Sequence, residues 1–175
     1  ASDVYKRQIH FLSRNKSPGP DGIPNELLKH LPGEMHDALH ALLKIIWVKE
    51  TTPHTWTESD TVLLYKKGDP LDINNYRPVA LANTLYKLWT SLITRSISEL
   101  VHALSILSEA QEGFLANRST ERQIQNLLHV IEDAALTRKD LFLAYIDFSS
   151  AFNTIDHDKL LQIMYDIGIP TDLIN

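Results

Sequence analysis

The chain has 175 residues, 43% of them hydrophobic and 22% charged, a balance that supports a packed core and excludes a disordered chain. It has no cysteine, which excludes disulfides, cysteine-ligated zinc and thiol catalysis, and no apolar run reaches the roughly 18 residues of a membrane-spanning helix. The formal net charge of −5 has the wrong sign for a nucleic-acid binder taken as a whole, so its distribution along the chain carries the information.

At the start, "DVYKRQ" (3–8) reads as the in-frame translation of a transposase-end sequencing adapter. Residues 1–8 are therefore expected to be an artefact and are set aside from the fold. "KSPGPDGIPNELLKHL" (16–31) opens with Pro/Gly pairs and is a loop. Pro24 then suits the first turn of a short helix over Asn25 to Leu31. The next helix is Glu34 to Lys49, with Met35, Leu39, Leu42, Leu43 and Ile46 at helical spacing as a core face. Pro53 ends that unit.

"TVLLYK" (61–66) is a short strand and "KGDP" (67–70) a hairpin turn. "NNYRPVALA" (74–82) is extended, because Arg77 precedes a proline. A long helix runs from about Thr84 to Leu104, with Asn83 as N-cap and Leu85, Leu88, Trp89, Leu92, Ile93, Ile97, Leu100, Val101 and Leu104 on one stripe. "SEAQ" (108–111) has capping-box spacing and starts a short turn. Another helix lies within 117–139. Thr120 and Gln123 are spaced as a capping box, and Ile124, Leu127, Leu128 and Ile131 form the predicted buried face. "LFLAYID" (141–147) is a near-continuous apolar run, as in a strand covered on both faces. Asp156 caps a last helix, His157 to Ile167, which Gly168 and Pro170 terminate. "GIPTDLIN" then stops just after a turn signal, where a further element is expected. Helices, hairpin, long helices and a late strand make an α+β chain.

The charge is segregated. Residues 61–95 hold five basic residues (Lys66, Lys67, Arg77, Lys87, Arg95) against two acids (Asp69, Asp72), a net of +3, whereas 140–175 hold six acids and only Lys159, a net of −5. A basic block followed by an acidic one suits a polyanion held beside a divalent metal, and equally suits ordinary surface patterning. Asp147 ends the apolar run. Such an acid either caps the turn after a strand or faces a cleft from a rigid support. Phe152 stands five residues on, as a core aromatic or a contact. Asp156 and Asp158 read as an N-cap and a first-turn acid on the helix dipole. "HDALH" (36–40) spaces His36 and His40 like an H-E-x-x-H zinc hydrolase. The acid between them is the shorter Asp37, and only Glu58 or His54 could serve as a third ligand.

Four blocks in order resemble the reverse transcriptases of non-LTR (LINE-type) retrotransposons: "KSPGPDGIPNELLK" (16–29), "VLLYKKGDPLDINNYRPVALANTLYKL" (62–88), "LSEAQEGFLANRSTERQI" (107–124), which fits Q-x-G-F-x-x-x-R-S-T, and "AYIDFSSAFNTIDHDKLL" (144–161). The resemblance runs from about Asn15 to the C-terminus. It implies a right-hand polymerase fragment: helix-rich fingers plus the first palm strand and helix. Residues 9–60 would be the N-terminal loop and helices, 61–140 the fingers with the basic hairpin and long helices, and 141–175 the start of a truncated palm.

The same resemblance implies RNA-templated DNA synthesis by two-metal nucleotidyl transfer. In that chemistry two Mg²⁺ ions (or Mn²⁺) about 3.5–4 Å apart hold the attacking and leaving oxygens. Asp147 would be the first metal carboxylate and the Phe148 carbonyl a further ligand beside the triphosphate. Phe152 would stand under the deoxyribose and exclude a 2′-hydroxyl. Arg77 would contact the dNTP triphosphate, with Lys66 or Lys67 assisting. Gly113, Phe114 and Arg118 would meet the template, and helix capping with Phe114 in the core is the alternative use of that block. Asn153 stands where many relatives carry an acid, so no metal role is implied there. The partners would be an RNA template, a DNA primer or target and dNTPs, with no membrane, in the nucleus of a eukaryotic host. The 175 residues contain no Asp-Asp pair, so the family's second catalytic motif is missing and this polypeptide alone is expected to be inactive. A degenerate relic that binds nucleic acid without catalysis is the alternative.

Overall fold

The computed structural model describes residues 2–174; Ala1 and Asn175 lie outside the described residues. Helices α1 (Ser2–Phe11), α2 (Asn25–Lys29) and α3 (Gly33–Lys49) come first. Strands β1 (Ser59–Tyr65) and β2 (Tyr76–Ala82) follow, then α4 (Thr84–Ala103), α5 (Thr120–Thr137), α6 (His157–Asp166) and α7 (Thr171–Ile174). The chain divides into two compact units, one ending at Ser98 and one spanning Glu99–Ile174. This is an α+β chain with a single antiparallel two-stranded sheet among the described residues. None of its described helices is long and apolar enough to cross a membrane.

In the first unit the core is Tyr5, Ile9, Leu28, Leu39, Leu43, Ile46, Trp56 and Leu88. The stripe predicted over 34–49 therefore faces a core, and of the one over 84–104 the first turns do, through Leu85, Leu88, Trp89 and Leu92, whereas Leu104 at its end is exposed. Met35 and Leu42, counted on the 34–49 face, are exposed because they sit at its edges. The stretch set aside as adapter-derived forms most of α1, and its Tyr5 is only 3% exposed. Tyr5 and Ile9 lie four residues apart on one helix face, the spacing that could have flagged them.

The glycine-rich loop is clamped onto the β2–α4 junction. A Cβ on Gly19 would lie 2.5 Å from the Ala82 carbonyl carbon and 2.6 Å from the Asn83 nitrogen, so only glycine fits the approach. Asn83 is 3% exposed, but its side chain does not cap α4 as expected. Its Oδ1 accepts from the Asp21 N–H at 3.1 Å and its Nδ2 donates to the Thr55 carbonyl at 2.7 Å. A buried amide needs all its partners met, and here two other segments meet them. The Thr84 hydroxyl donates to the Ile23 carbonyl at 2.6 Å, adding a second tie to the same loop.

The second unit keeps its helices but buries little. Among its described residues only Ile169 is a buried hydrophobic. Ile124, Leu128 and Ile131, predicted as a buried face of α5, are 58%, 51% and 41% exposed, and Leu127 is half-buried. The N-cap of α5 is Ser119, whose hydroxyl accepts from the Arg122 N–H at 3.3 Å, in place of Thr120. Asp156 caps α6 as expected, its Oδ1 accepting from the Lys159 N–H at 3.1 Å. The predicted strand 141–147 is not a strand and is exposed throughout. A strand exists only through a partner's hydrogen bonds, and no described segment pairs with it.

Candidate functional site

The candidate residues fall on both units. Lys66, Lys67 and Arg77 belong to the β1–β2 hairpin, which pairs in the register Ser59↔Ala82 through Tyr65↔Tyr76 and sets Arg77 opposite Leu64. Its tip is stitched from within. The Lys66 N–H donates to the Asn75 carbonyl at 2.8 Å, and Asn75 Nδ2 to the Asp69 carbonyl at 3.0 Å. The Tyr65 and Tyr76 hydroxyls donate to the Gly68 and Pro70 carbonyls at 2.6 and 2.9 Å, and the two rings pack edge-on with centroids 5.5 Å apart. Gly68 has φ +96, and an added Cβ there would meet the Asn75 side chain at 2.7 Å. All three cations are exposed. The sequence thus builds a braced turn that holds cations out into solvent, a geometry suited to a polyanion.

In the second unit the loop 108–119 leads into α5. It starts at a turn as predicted, with the Ser108 hydroxyl accepting from the Ala110 N–H at 3.2 Å, but the expected capping box is not formed, because the Gln111 side chain donates to the Gly113 carbonyl at 3.1 Å. Phe114 has φ +62 and is 96% exposed, so it is no core residue. Gly113 is uncrowded within the chain, since a Cβ there would meet only Gln111 Nε2 at 3.6 Å. Arg118 is partnered, its Nη1 lying 3.0 Å from Glu112 Oε1. The Arg122 guanidinium, with the Arg118 one, holds the Glu112 carboxyl below the usual glutamate range. Glu112 and Arg122 were not singled out in the sequence, because their contact links positions ten residues apart across a turn.

Asp147 lies at the end of the exposed segment, and its carboxylate has no hydrogen-bond or ion-pair partner among the described residues. Phe148 and Phe152 are 78% and 74% exposed, which removes the core-aromatic use of Phe152. Phe152 meets Phe114 edge-to-face, with centroids 6.1 Å apart and ring planes at 87°. The structure thereby joins the 107–124 and 144–161 motifs, which the sequence kept separate. Asp156 is engaged as a helix cap, as its position predicted.

Mg²⁺ takes about six oxygen ligands. Asp147 and the Phe148 carbonyl offer two groups, but no cluster of three or more His, Asp or Glu able to hold a metal occurs among the described residues. The residues present do not by themselves make a Mg²⁺ site. At 36–40 the two histidines are engaged by Tyr5. His36 Nδ1 lies 3.1 Å from the Tyr5 hydroxyl and the His40 ring stacks on Tyr5 at 5.1 Å, so packing accounts for both rings.

The model of the family described as reverse transcriptase (RNA-dependent DNA polymerase) matches residues 65–175. The probable RNA-directed DNA polymerase from transposon BS of Drosophila melanogaster is 30% identical over 155 residues, 88% of this chain and 17% of the relative. The probable RNA-directed DNA polymerase from transposon X-element of the same organism is 28% identical over 97% of this chain and 18% of its own length. A retrovirus-related Pol polyprotein from the type-1 retrotransposable element R2 of Nasonia vitripennis is 22% identical over 93% of this chain and 15% of its own length. The chain therefore spans less than a fifth of each of these relatives, whose lengths it covers to 17%, 18% and 15%.

Proposed function

Because the chain belongs to the reverse transcriptase family, as its likeness to the non-LTR retrotransposon enzymes implied, we propose that it supplies the fingers and the start of the palm of an RNA-directed DNA polymerase that copies retrotransposon RNA into DNA. The observation that carries this reading is the extent of the family match, which takes in every candidate residue from Lys66 to Phe152. Arg77, with Lys66 or Lys67, neutralises the triphosphate of an incoming dNTP, and the braced hairpin tip supports that role by fixing the cations before the substrate arrives. Phe152 excludes the 2′-hydroxyl of an rNTP by its bulk, and its edge contact with Phe114 supports a fixed ring plane. Phe114, Arg118 and the Gly113 backbone lie toward the template. Asp147 and the Phe148 carbonyl are part of a Mg²⁺ donor set that other groups complete. A metal site completed by those other groups would supply Lewis-acid stabilisation of the transferring phosphoryl group. Work on a retrotransposon's own RNA and a DNA primer places the enzyme in the nucleus of its host.

The reading is tested by primer extension with a polypeptide of the relatives' length that contains this chain. RNA-templated dNTP incorporation is expected, with loss of about a hundredfold or more on Asp147→Ala. Phe152→Ala should admit rNTPs at unchanged dNTP use. Full incorporation by the Asp147 variant would remove the catalytic assignment, and unchanged sugar discrimination would remove the gate.

A further inference from the structure

The Glu112 carboxylate gathers side-chain and backbone donors from Arg118, Ser119 and Arg122. Its side chain is 9% exposed. Oε1 accepts from Arg118 Nη1 at 3.0 Å and from Arg122 Nε and Nη2 at 3.1 and 2.6 Å, while Oε2 accepts from the Ser119 N–H at 3.3 Å. Two guanidiniums against one carboxylate leave one positive charge in excess. A guanidinium carries five N–H donors in a rigid fork. The bonds to Glu112 use one group of Arg118 and two of Arg122, and the side chains remain 31% and 45% exposed. The arrangement thus presents unused donors from two neighbouring cations, and the acid between them offsets the repulsion that would drive them apart. Arg122 is pinned a second time, because its own N–H donates to the capping Ser119 hydroxyl at 3.3 Å.

We propose that Glu112 is a positioning residue that holds Arg118 and Arg122 as one cationic pair, and that this pair takes the backbone phosphates of single-stranded RNA. The proposal rests on the reading of the chain as a template-handling part of a polymerase. It adds Arg122 as a second phosphate contact and gives Glu112 a role that its charge alone would forbid. Guanidinium forks suit phosphate oxygens because two parallel N–H donors match two acceptors. A pair fixed in advance loses less side-chain freedom on binding than two independent arginines. The competing possibility is that Glu112 merely masks the two cations, and it predicts an effect of opposite sign.

The test measures binding of the full 175-residue chain to a labelled oligouridylate over a series of KCl concentrations. Arg122→Gln should weaken binding about threefold to tenfold and flatten the log–log salt slope by about 0.7, the value for one phosphate contact on a single strand. Glu112→Gln should also weaken binding about threefold, although it removes a negative charge. With Arg118 and Arg122 both changed to Gln, Glu112→Gln should no longer weaken it, since nothing is left to position. Tighter binding by Glu112→Gln alone overturns the proposal in favour of masking. Weakening that persists without the two arginines overturns it in favour of a loop-folding role. An Arg122→Gln variant that binds as the unaltered chain does overturns the phosphate assignment. Absence of binding by the unaltered chain removes the template reading itself, and this assignment with it.

Discussion

Helices α3 and α5 carry apolar stripes of the same kind, yet one is a core face and the other is bare. Leu39, Leu43 and Ile46 on α3 are 7%, 4% and 4% exposed, whereas Ile124, Leu128 and Ile131 on α5 are 58%, 51% and 41% exposed. The stripe is a property of the helix, because side chains three and four apart share a face. Burial is a property of what lies opposite. In the first unit α1, α2, α4 and the Trp56 turn close over α3, and among the described residues of the second nothing comparable covers α5. The catalytic candidates divide the same way. The cations of the first unit stand on a hairpin braced at its tip, while Asp147 stands on a segment with no pairing strand.

Substitution in the two stripes should separate them most. On α3, Leu43→Ala, at a position only 4% exposed, should cost about 2–5 kcal/mol. Leu128→Ala should cost about 0.5 kcal/mol or less. Equal losses in urea unfolding would mean that α5 does have a covered face. Next is the pair of glycines. Gly19→Ala drives a methyl into the backbone at Ala82 and Asn83 and should cost about 1–3 kcal/mol by the same measurement. Gly113→Ala meets only ordinary contact and should stay within about 0.5 kcal/mol. A smaller loss, about 1 kcal/mol, is expected for Asp156→Ala, which removes the cap of α6. It should appear as reduced helicity in the second unit, and an unchanged signal would show that α6 does not depend on its cap.

The smallest effect concerns acid. Glu112 is held below the usual glutamate range, first by Arg122. A depressed carboxyl stabilises the fold above its unfolded pKa, and that contribution fades as pH falls through the folded one. Thermal melts of the second unit should therefore weaken below the ordinary glutamate range. Glu112→Gln should flatten that part of the profile, and an identical profile would detach the acid response from this ion cluster.

Much of the fold is legible in the sequence where local chemistry decides it. Proline and glycine punctuation bounds α2 and α3, Asp156 caps α6, and the residues before and after Pro78 are extended as its ring requires. The remainder depends on contacts between distant positions. Asn83 sits where an N-cap belongs, but its amide is drawn to Asp21 and Thr55, 62 and 28 residues away. The run 141–147 has the composition of an inner strand and lacks the partner that makes one. For the candidate site, Asp147, Phe152 and Arg77 are singled out by motif order alone. Glu112 with its two arginines, and the Phe114–Phe152 contact, emerge only when the turns bring them together.

The central claim is that Asp147 is one carboxylate of a polymerase site that the groups present do not complete. Primer extension with the 175-residue chain, an RNA template, a DNA primer, dNTPs and Mg²⁺ tests it most directly. The account predicts no incorporation above background. Incorporation that Asp147→Ala abolishes would contradict it, because the residues already present would then suffice for catalysis.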